Sequence, residues 1–128
     1  MSVRIVRLGK PRAPDEGLRI GTVRRPPRGV ARERYAKDDW YDVWLPELAP
    51  SDEAFRLART ATTTQHWKAF VKRYRSEMSA PDKLRMLALL AALSRQSNFS
   101  VGCYCEDETR CHRSILRTLL EAQGAVIT

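Results

Sequence analysis

The sequence contains no long apolar run, and this absence excludes two classes of protein. No stretch approaches the ~20 apolar residues that a membrane-spanning helix requires. The first residues, Met1 to Val6, are too short an apolar segment for the core of a secretory signal. We therefore expect a cytoplasmic protein without a membrane partner.

Cysteine and histidine are scarce. The chain has three cysteines and two histidines, and all three cysteines fall between positions 103 and 111. An odd number of clustered cysteines does not match the paired disulfide framework of a small secreted domain. A reducing compartment would keep these thiols free or bound to a metal, which agrees with a cytoplasmic location.

Acidic residues are outnumbered by basic ones. The chain has 23 Lys and Arg against 15 Asp and Glu, which gives a formal net charge of +8. Such a surface attracts polyanions or phosphorylated small molecules. Solubility is the alternative interpretation, because the basic residues are spread along the chain. The excess of arginine over lysine favours planar recognition of phosphate or carboxylate groups.

The apolar pattern predicts a small, largely parallel sheet. Alternating residues predict strands at Val3–Leu8 and Leu18–Val23, and the apolar run Phe99–Tyr104 predicts a buried strand. A short extended segment is expected between Asp38 and Ser51, and Ala125–Thr128 is expected to form a terminal strand.

Helical periodicity predicts four helices between and after these strands. They are expected to begin after Ser51, near Thr64, after a capping box at Ser79, and near Arg113. No repeat or linker divides the 128 residues. We expect one compact α/β domain over residues 1–128 with three layers.

The residues best suited to chemistry lie where the Phe99 strand meets the Arg113 helix. The start of a helix favours a thiolate or a neutral imidazole by roughly 0.3–1 kcal/mol. Cys105, Cys111 and His112 are therefore the candidate catalytic residues. We expect Cys105 and Cys111 to be close enough for a reversible disulfide or a shared metal, and Cys103 to be buried and inert.

A metal site is the alternative interpretation of the same turn. Cys103, Cys105, Cys111 and His112 supply the four N or S ligands that zinc requires. Their spacing is not one of the usual paired Cys-x-x-Cys forms, so the metal assignment ranks second and zinc remains a possible cofactor. The acids between Glu106 and Glu108 raise thiol pKa values and disfavour a phosphatase-type loop.

A second group of candidates lies on the loop Arg24–Gly29. Its two prolines exclude regular structure, and Gly29 permits a tight turn, so the loop displays its arginines after a strand. We expect Arg24, Arg28 and Arg113 to hold a phosphate or carboxylate, with Trp40 or Trp44 beside the same cleft. An ordinary exposed basic turn is the alternative.

Several of these motifs occur together in one known family. The Pro27-Arg-Gly29 loop, the segment ending at Ser51, the Trp67–Glu77 helix and the Cys-x-Cys…Cys-His-Arg turn together resemble the domain-of-unknown-function 488 family, also called YeaO-like. Val23 and Pro26 stand where that family has Asp and Trp. The resemblance implies a compact α/β domain and brings no established activity with it.

These observations favour one function over two alternatives. The first is a protein that binds a small anionic, nucleotide-like ligand in a cleft between the Pro-Arg-Gly loop and the Cys-His-Arg turn. The basic charge also suits a nucleic-acid-binding protein, although no groove-reading motif is present. The cysteine turn also suits a metal or thiol-redox site. The sequence does not indicate a reaction.

Overall fold

The chain forms a four-stranded parallel sheet. A computed structural model describes all 128 residues. The strands are β1 (Val3–Arg7), β2 (Leu18–Gly21), β3 (Val43–Trp44) and β4 (Phe99–Cys103). Their order is β1-β4-β2-β3, and every neighbouring pair is parallel. The predicted α/β fold class is confirmed.

Four α-helices complete the regular structure. They are α1 (Asp52–Arg59), α2 (Thr64–Glu77), α3 (Pro81–Ser94) and α4 (His112–Ala122). As predicted, Ser51 caps α1, since its Oγ accepts a hydrogen bond from the Ala54 N–H. The capping box predicted at Ser79 is wrong, because the hydroxyl of Ser79 donates to the carbonyl of Arg75 in the preceding helix.

One face of the sheet carries the apolar core. Side chains alternate along each strand, so one set of strand residues points toward the helices. All four helices contribute to the same buried cluster as these strand residues. Members of this cluster from the strands and helices include Val3, Ile20, Phe99, Val101, Phe70, Tyr74, Leu87 and Leu116.

Connecting segments cover the opposite face of the sheet with a buried ion pair. The guanidinium of Arg19 donates to both carboxylate oxygens of Glu16, at 2.7 and 2.9 Å, and both side chains are almost fully buried. The hydroxyl of Ser100 also donates to Glu16, at 2.7 Å, and Arg19 donates further to the carbonyls of Lys10 and Asp39. The segments between strands are thus joined to the sheet by charge-assisted hydrogen bonds.

The end of the chain and the outer face of α3 carry less packed structure than the rest of the fold. The terminal strand is reduced to one parallel bridge, between Val3 and Ile127. The outer face of α3 leaves Leu84, Leu89 and Leu93 exposed, because the sheet and the other helices cover only its inner face. None of the helices has both the length and the apolar content needed to cross a membrane.

Candidate functional site

The carboxyl ends of three neighbouring strands bring three segments to one edge of the sheet. β1 leads into Leu8–Lys10, β4 leads into Tyr104 and Cys105, and β2 leads toward the loop Arg24–Gly29. In parallel α/β sheets this edge is the usual location of ligand sites. Both predicted site segments, the Pro-Arg-Gly loop and the cysteine turn, therefore lie at one edge.

The largest cavity opens at this edge, with a volume of about 830 Å³, and we call it the basic pocket. No acidic residue lines it. Two exposed acids pair with the lining from outside, because Glu106 lies 3.5 Å from Arg7 and Asp52 lies 3.3 Å from Arg25. The polar and aromatic residues of the lining are Arg7, Lys10, Arg25, Arg28, Trp40 and Tyr104.

The loop Arg24–Gly29 holds Arg25 and Arg28 at the rim of the basic pocket. Pro26 and Pro27 fix the backbone, and Gly29 adopts a φ of +75°, a conformation that favours glycine. The hydroxyl of Tyr104 donates to the carbonyl of Arg25 at 2.8 Å. This hydrogen bond ties the loop to the cysteine turn.

Trp40 forms the aromatic wall of the basic pocket together with Tyr104. The two rings meet edge to face with centroids 5.8 Å apart. A Cβ on Gly9 would lie 2.9 Å from the Trp40 ring, so only glycine lets the ring lie this close to the backbone. Trp44 lies elsewhere, with its indole N–H donating to the carbonyl of Val23.

The three cysteines and His112 converge beside this pocket. The Sγ atoms of Cys103 and Cys111 are 2.6 Å apart, and the Sγ of Cys111 is 3.7 Å from the Nδ1 of His112. Cys103 is buried, as expected, but so is Cys111, and Cys105 is only half-buried. The closest thiol pair is therefore Cys103 with Cys111.

His112 is held in one orientation by the end of β2. Its Nε2 lies 2.8 Å from the carbonyl of Thr22, so this nitrogen carries the proton and Nδ1 is left as an acceptor facing Cys111. Burial lowers the pKa of His112 to about 4, although the hydrogen bond to Thr22 opposes this shift. The imidazole is therefore neutral at physiological pH.

The three thiols shift each other's pKa values. Hydrogen bonds from the thiols of Cys103 and Cys111 lower the pKa of Cys105. Hydrogen bonds with Cys105 and Cys111, followed by burial, raise the pKa of Cys103. For Cys111, the hydrogen bond with Cys103 lowers the pKa, but the hydrogen bond with Cys105 and burial outweigh it. These shifts favour ionisation of Cys105 over ionisation of the two buried thiols.

The acidic residues of the cysteine turn are paired away from the thiols. Glu106 lies beside Arg7, and Glu108 forms a bidentate pair with Arg117. Asp107 accepts hydrogen bonds from the backbone and hydroxyl of Thr109. The electrostatic penalty expected at the thiols from these acids is therefore reduced.

Arg113 is buried next to the thiols and does not line the basic pocket. One of its Nη atoms donates to the carbonyl of Cys105, and its Nε has no hydrogen-bond partner. It forms no ion pair with a carboxylate. A buried guanidinium without a carboxylate requires another negative charge nearby.

A second cavity, the cysteine pocket, lies beside the basic pocket and contains the thiols in its lining. Its volume is about 360 Å³, and Cys103, Cys105 and His112 line it together with Arg24. The cysteine pocket and the basic pocket share Arg25 and Tyr104 in their linings. The side chain of Tyr104 thus stands between the thiols and the basic pocket.

The predicted site residues, apart from Arg113, lie in or beside the basic pocket and the cysteine pocket. Arg28 and Trp40 line the basic pocket, whereas Arg24 lines the cysteine pocket through a side chain whose Nε donates to the carbonyl of Pro50. Four lining residues were missed by the sequence reasoning. They are Arg7, Lys10, Arg25 and Tyr104. The signal for the first two was their position at the carboxyl end of a predicted strand.

Comparison with known proteins gives one family match. The model of the family DUF488-N3a, described as the active DUF488-N3 subclade, matches residues 3–124. No curated protein and no solved structure matches the chain.

Proposed function

The chain belongs to the DUF488 family, and from that premise we propose that it binds a phosphate- or carboxylate-bearing small ligand, nucleotide-like in form. The ligand occupies the cleft between the Pro-Arg-Gly loop and the Cys-His-Arg turn, with its anionic group in the basic pocket. The observation that carries this proposal is the absence of acids from the lining of the largest cavity.

The charges of the basic pocket support an anion more directly than the net charge does. Lys10 and Arg28 lie in its lining and form no ion pair with a carboxylate, so both are free to pair with a ligand. Each of the three other large cavities includes at least one Asp or Glu in its lining. Guanidinium groups bind phosphate or carboxylate through two parallel hydrogen bonds, which favours arginine at such a site.

The aromatic wall supports a ligand with a flat ring. Trp40 and Tyr104 present ring surfaces beside the cations, and stacking of a nucleobase on an aromatic side chain contributes about 1–3 kcal/mol. A nucleotide combines this ring with a phosphate. The same features suit single-stranded nucleic acid, but the volume of the basic pocket, about 830 Å³, lies in the range of small-molecule sites.

Calorimetric titration at low salt tests this proposal with three probes. We expect adenosine monophosphate to bind with a stoichiometry of one, inorganic phosphate to bind more weakly, and adenosine to bind least, because the phosphate and the ring each contribute. Single-stranded oligonucleotides of increasing length serve as the control for nucleic-acid binding. Affinity that rises with length, together with no saturable binding of the mononucleotide, would favour the nucleic-acid alternative instead.

A second candidate function is thiol chemistry at Cys105, with Cys111 and His112 as its neighbours. The observation favouring it is the position of Cys105 in the lining of the cysteine pocket, directly beyond Tyr104 from the basic pocket. Tyr104, which lines both pockets, would lie between this sulfur and a ligand in the basic pocket. Such chemistry requires Cys105 to be free of metal, so a metal titration separates the two roles of the thiols.

A further inference from the structure

Three metal-ligating side chains of the cysteine turn converge in the interior of the protein, and a fourth, Cys105, lies half-buried beside them. The Sγ atoms of Cys103 and Cys111 and a ring nitrogen of His112 all lie within 4.8 Å of one another, and all three residues are buried. Cys105 lines the cysteine pocket together with Cys103 and His112. We propose that Cys103, Cys105, Cys111 and His112 form a tetrahedral binding site for one zinc ion, independently of the ligand in the basic pocket.

The hydrogen bonds of His112 match those of a metal ligand. Histidines that bind zinc usually donate their other ring N–H to a carbonyl or carboxylate, which fixes the tautomer and the ring orientation. Here Nε2 donates to the carbonyl of Thr22, and Nδ1 faces Cys111 without a proton of its own. The ring also packs edge to face against Tyr74, with centroids 5.5 Å apart. The imidazole is thus oriented before any metal binds.

The distances among Cys103, Cys111 and His112 allow a zinc ion after a small movement of the two sulfurs. Ligand bonds of about 2.3 Å to sulfur and about 2.0 Å to nitrogen place tetrahedral ligands about 3.5–3.8 Å apart. The Cys111 Sγ to His112 Nδ1 distance of 3.7 Å already fits this range. The 2.6 Å contact between Cys103 and Cys111 must lengthen by about 1 Å. Cys111 is the N-cap residue of α4, and its side chain makes no capping hydrogen bond that would oppose this movement.

Arg113 supplies a charge that suits a three-thiolate site. Its guanidinium is buried, has no carboxylate partner and leaves Nε without a hydrogen bond. Three thiolates with one divalent cation carry a net charge of about −1, which a single adjacent guanidinium balances. The donation from Arg113 to the carbonyl of Cys105 holds the two groups together.

The donor set selects the class of metal. Three thiolates and one imidazole are soft to borderline ligands, which favour zinc over magnesium or calcium. Zinc would join the end of β4 to the start of α4, the two elements between which the cysteine turn runs. Cobalt(II) takes the same tetrahedral position and absorbs light through its thiolate bonds, so it serves as a spectroscopic probe.

The first test uses the unmodified chain, reduced and freed of metal under anaerobic conditions. We expect cobalt(II) to produce thiolate charge-transfer absorption that saturates at one ion per chain and disappears when one equivalent of zinc is added. Zinc should also protect all three thiols from alkylation. Absence of saturable absorption, or three thiols that react equally fast with and without zinc, would overturn the proposal. A Cys103–Cys111 disulfide that forms instead of a metal complex would overturn it as well.

Variants identify the ligands. Cys105→Ser should retain about two-thirds of the charge-transfer intensity, since two of three thiolates remain. His112→Ala should bind cobalt at least tenfold more weakly, in line with the loss of a ligand or its support. His66→Ala is the matched control, because His66 is the only other histidine and is exposed on α2. Equal losses in His66→Ala and His112→Ala would contradict the assignment, and circular dichroism shows whether each variant is folded.

Discussion

Replacement of Glu16 by alanine is expected to lower the free energy of unfolding by about 3–5 kcal/mol, the cost of removing one partner from a buried ion pair. Arg19 would remain buried, with only carbonyl groups as partners. Ser100 would also lose its acceptor. Chemical denaturation monitored by circular dichroism measures this loss directly.

The adjacent acid provides a matched control. Asp15 pairs with Arg4 at 2.8 Å, but its side chain is 67% exposed, so Asp15→Ala should change stability by less than about 1 kcal/mol. A second variant, Glu16→Gln, keeps the volume and removes the charge. If Glu16→Ala and Glu16→Gln both cost no more than Asp15→Ala, the buried pair does not stabilise the fold.

The ion pair between Glu16 and Arg19 also predicts that the fold loses stability in acid. Burial alone would raise the pKa of Glu16, but hydrogen bonds from Arg19 and Ser100 outweigh it and lower the pKa from its usual 4.5 to about 2. Because the folded-state pKa lies below the unfolded-state value, this stabilisation is complete above pH 4.5 and is lost as the pH falls toward 2. The free energy of unfolding of Glu16→Gln should fall less over this window than that of the parent chain.

The double substitution Arg25→Ala and Arg28→Ala is expected to weaken adenosine monophosphate binding by about a hundredfold. Each charge-assisted hydrogen bond contributes roughly 1.5 kcal/mol at the lower end of its range, and two such losses correspond to about 3 kcal/mol. The lower end applies because both side chains are exposed to solvent. Calorimetry at one fixed ionic strength measures the change.

The control for this prediction removes the same amount of charge elsewhere. Lys68 and Lys72 are exposed on α2 and line neither pocket, so Lys68→Ala with Lys72→Ala lowers the net charge equally. We expect this variant to bind within about twofold of the parent chain, because exposed charges at a distance are screened by salt. Similar weakening in both double variants would show that binding depends on net charge and not on the basic pocket.

The sequence predicted the elements well because their signals are local. The alternation in β1 and β2, the apolar run of β4 and the periodicity of α2 are all readable without tertiary contacts. The cysteine turn was located correctly between β4 and α4 for the same reason. The capping box at Ser79 failed because that hydroxyl binds the preceding helix instead.

The site was predicted less completely because its parts depend on strand order. Arg7 and Lys10 line the basic pocket together with Tyr104 only because β1 pairs with β4. No local sequence pattern specifies that pairing. Arg19 reads as a surface residue in the sequence, yet it is buried against Glu16. Arg113 shows the same effect, since its burial beside the thiols depends on how α4 packs against the sheet.

The most direct test of the central claim is a phosphate titration of the isotopically labelled chain, followed by amide NMR at low salt. We expect saturable shifts confined to the amides of residues 7–10, 25–29 and 104 and to the indole N–H of Trp40, because these groups surround the basic pocket. Shifts that do not saturate, or that spread over the exposed basic residues of α2 and α3, would contradict it.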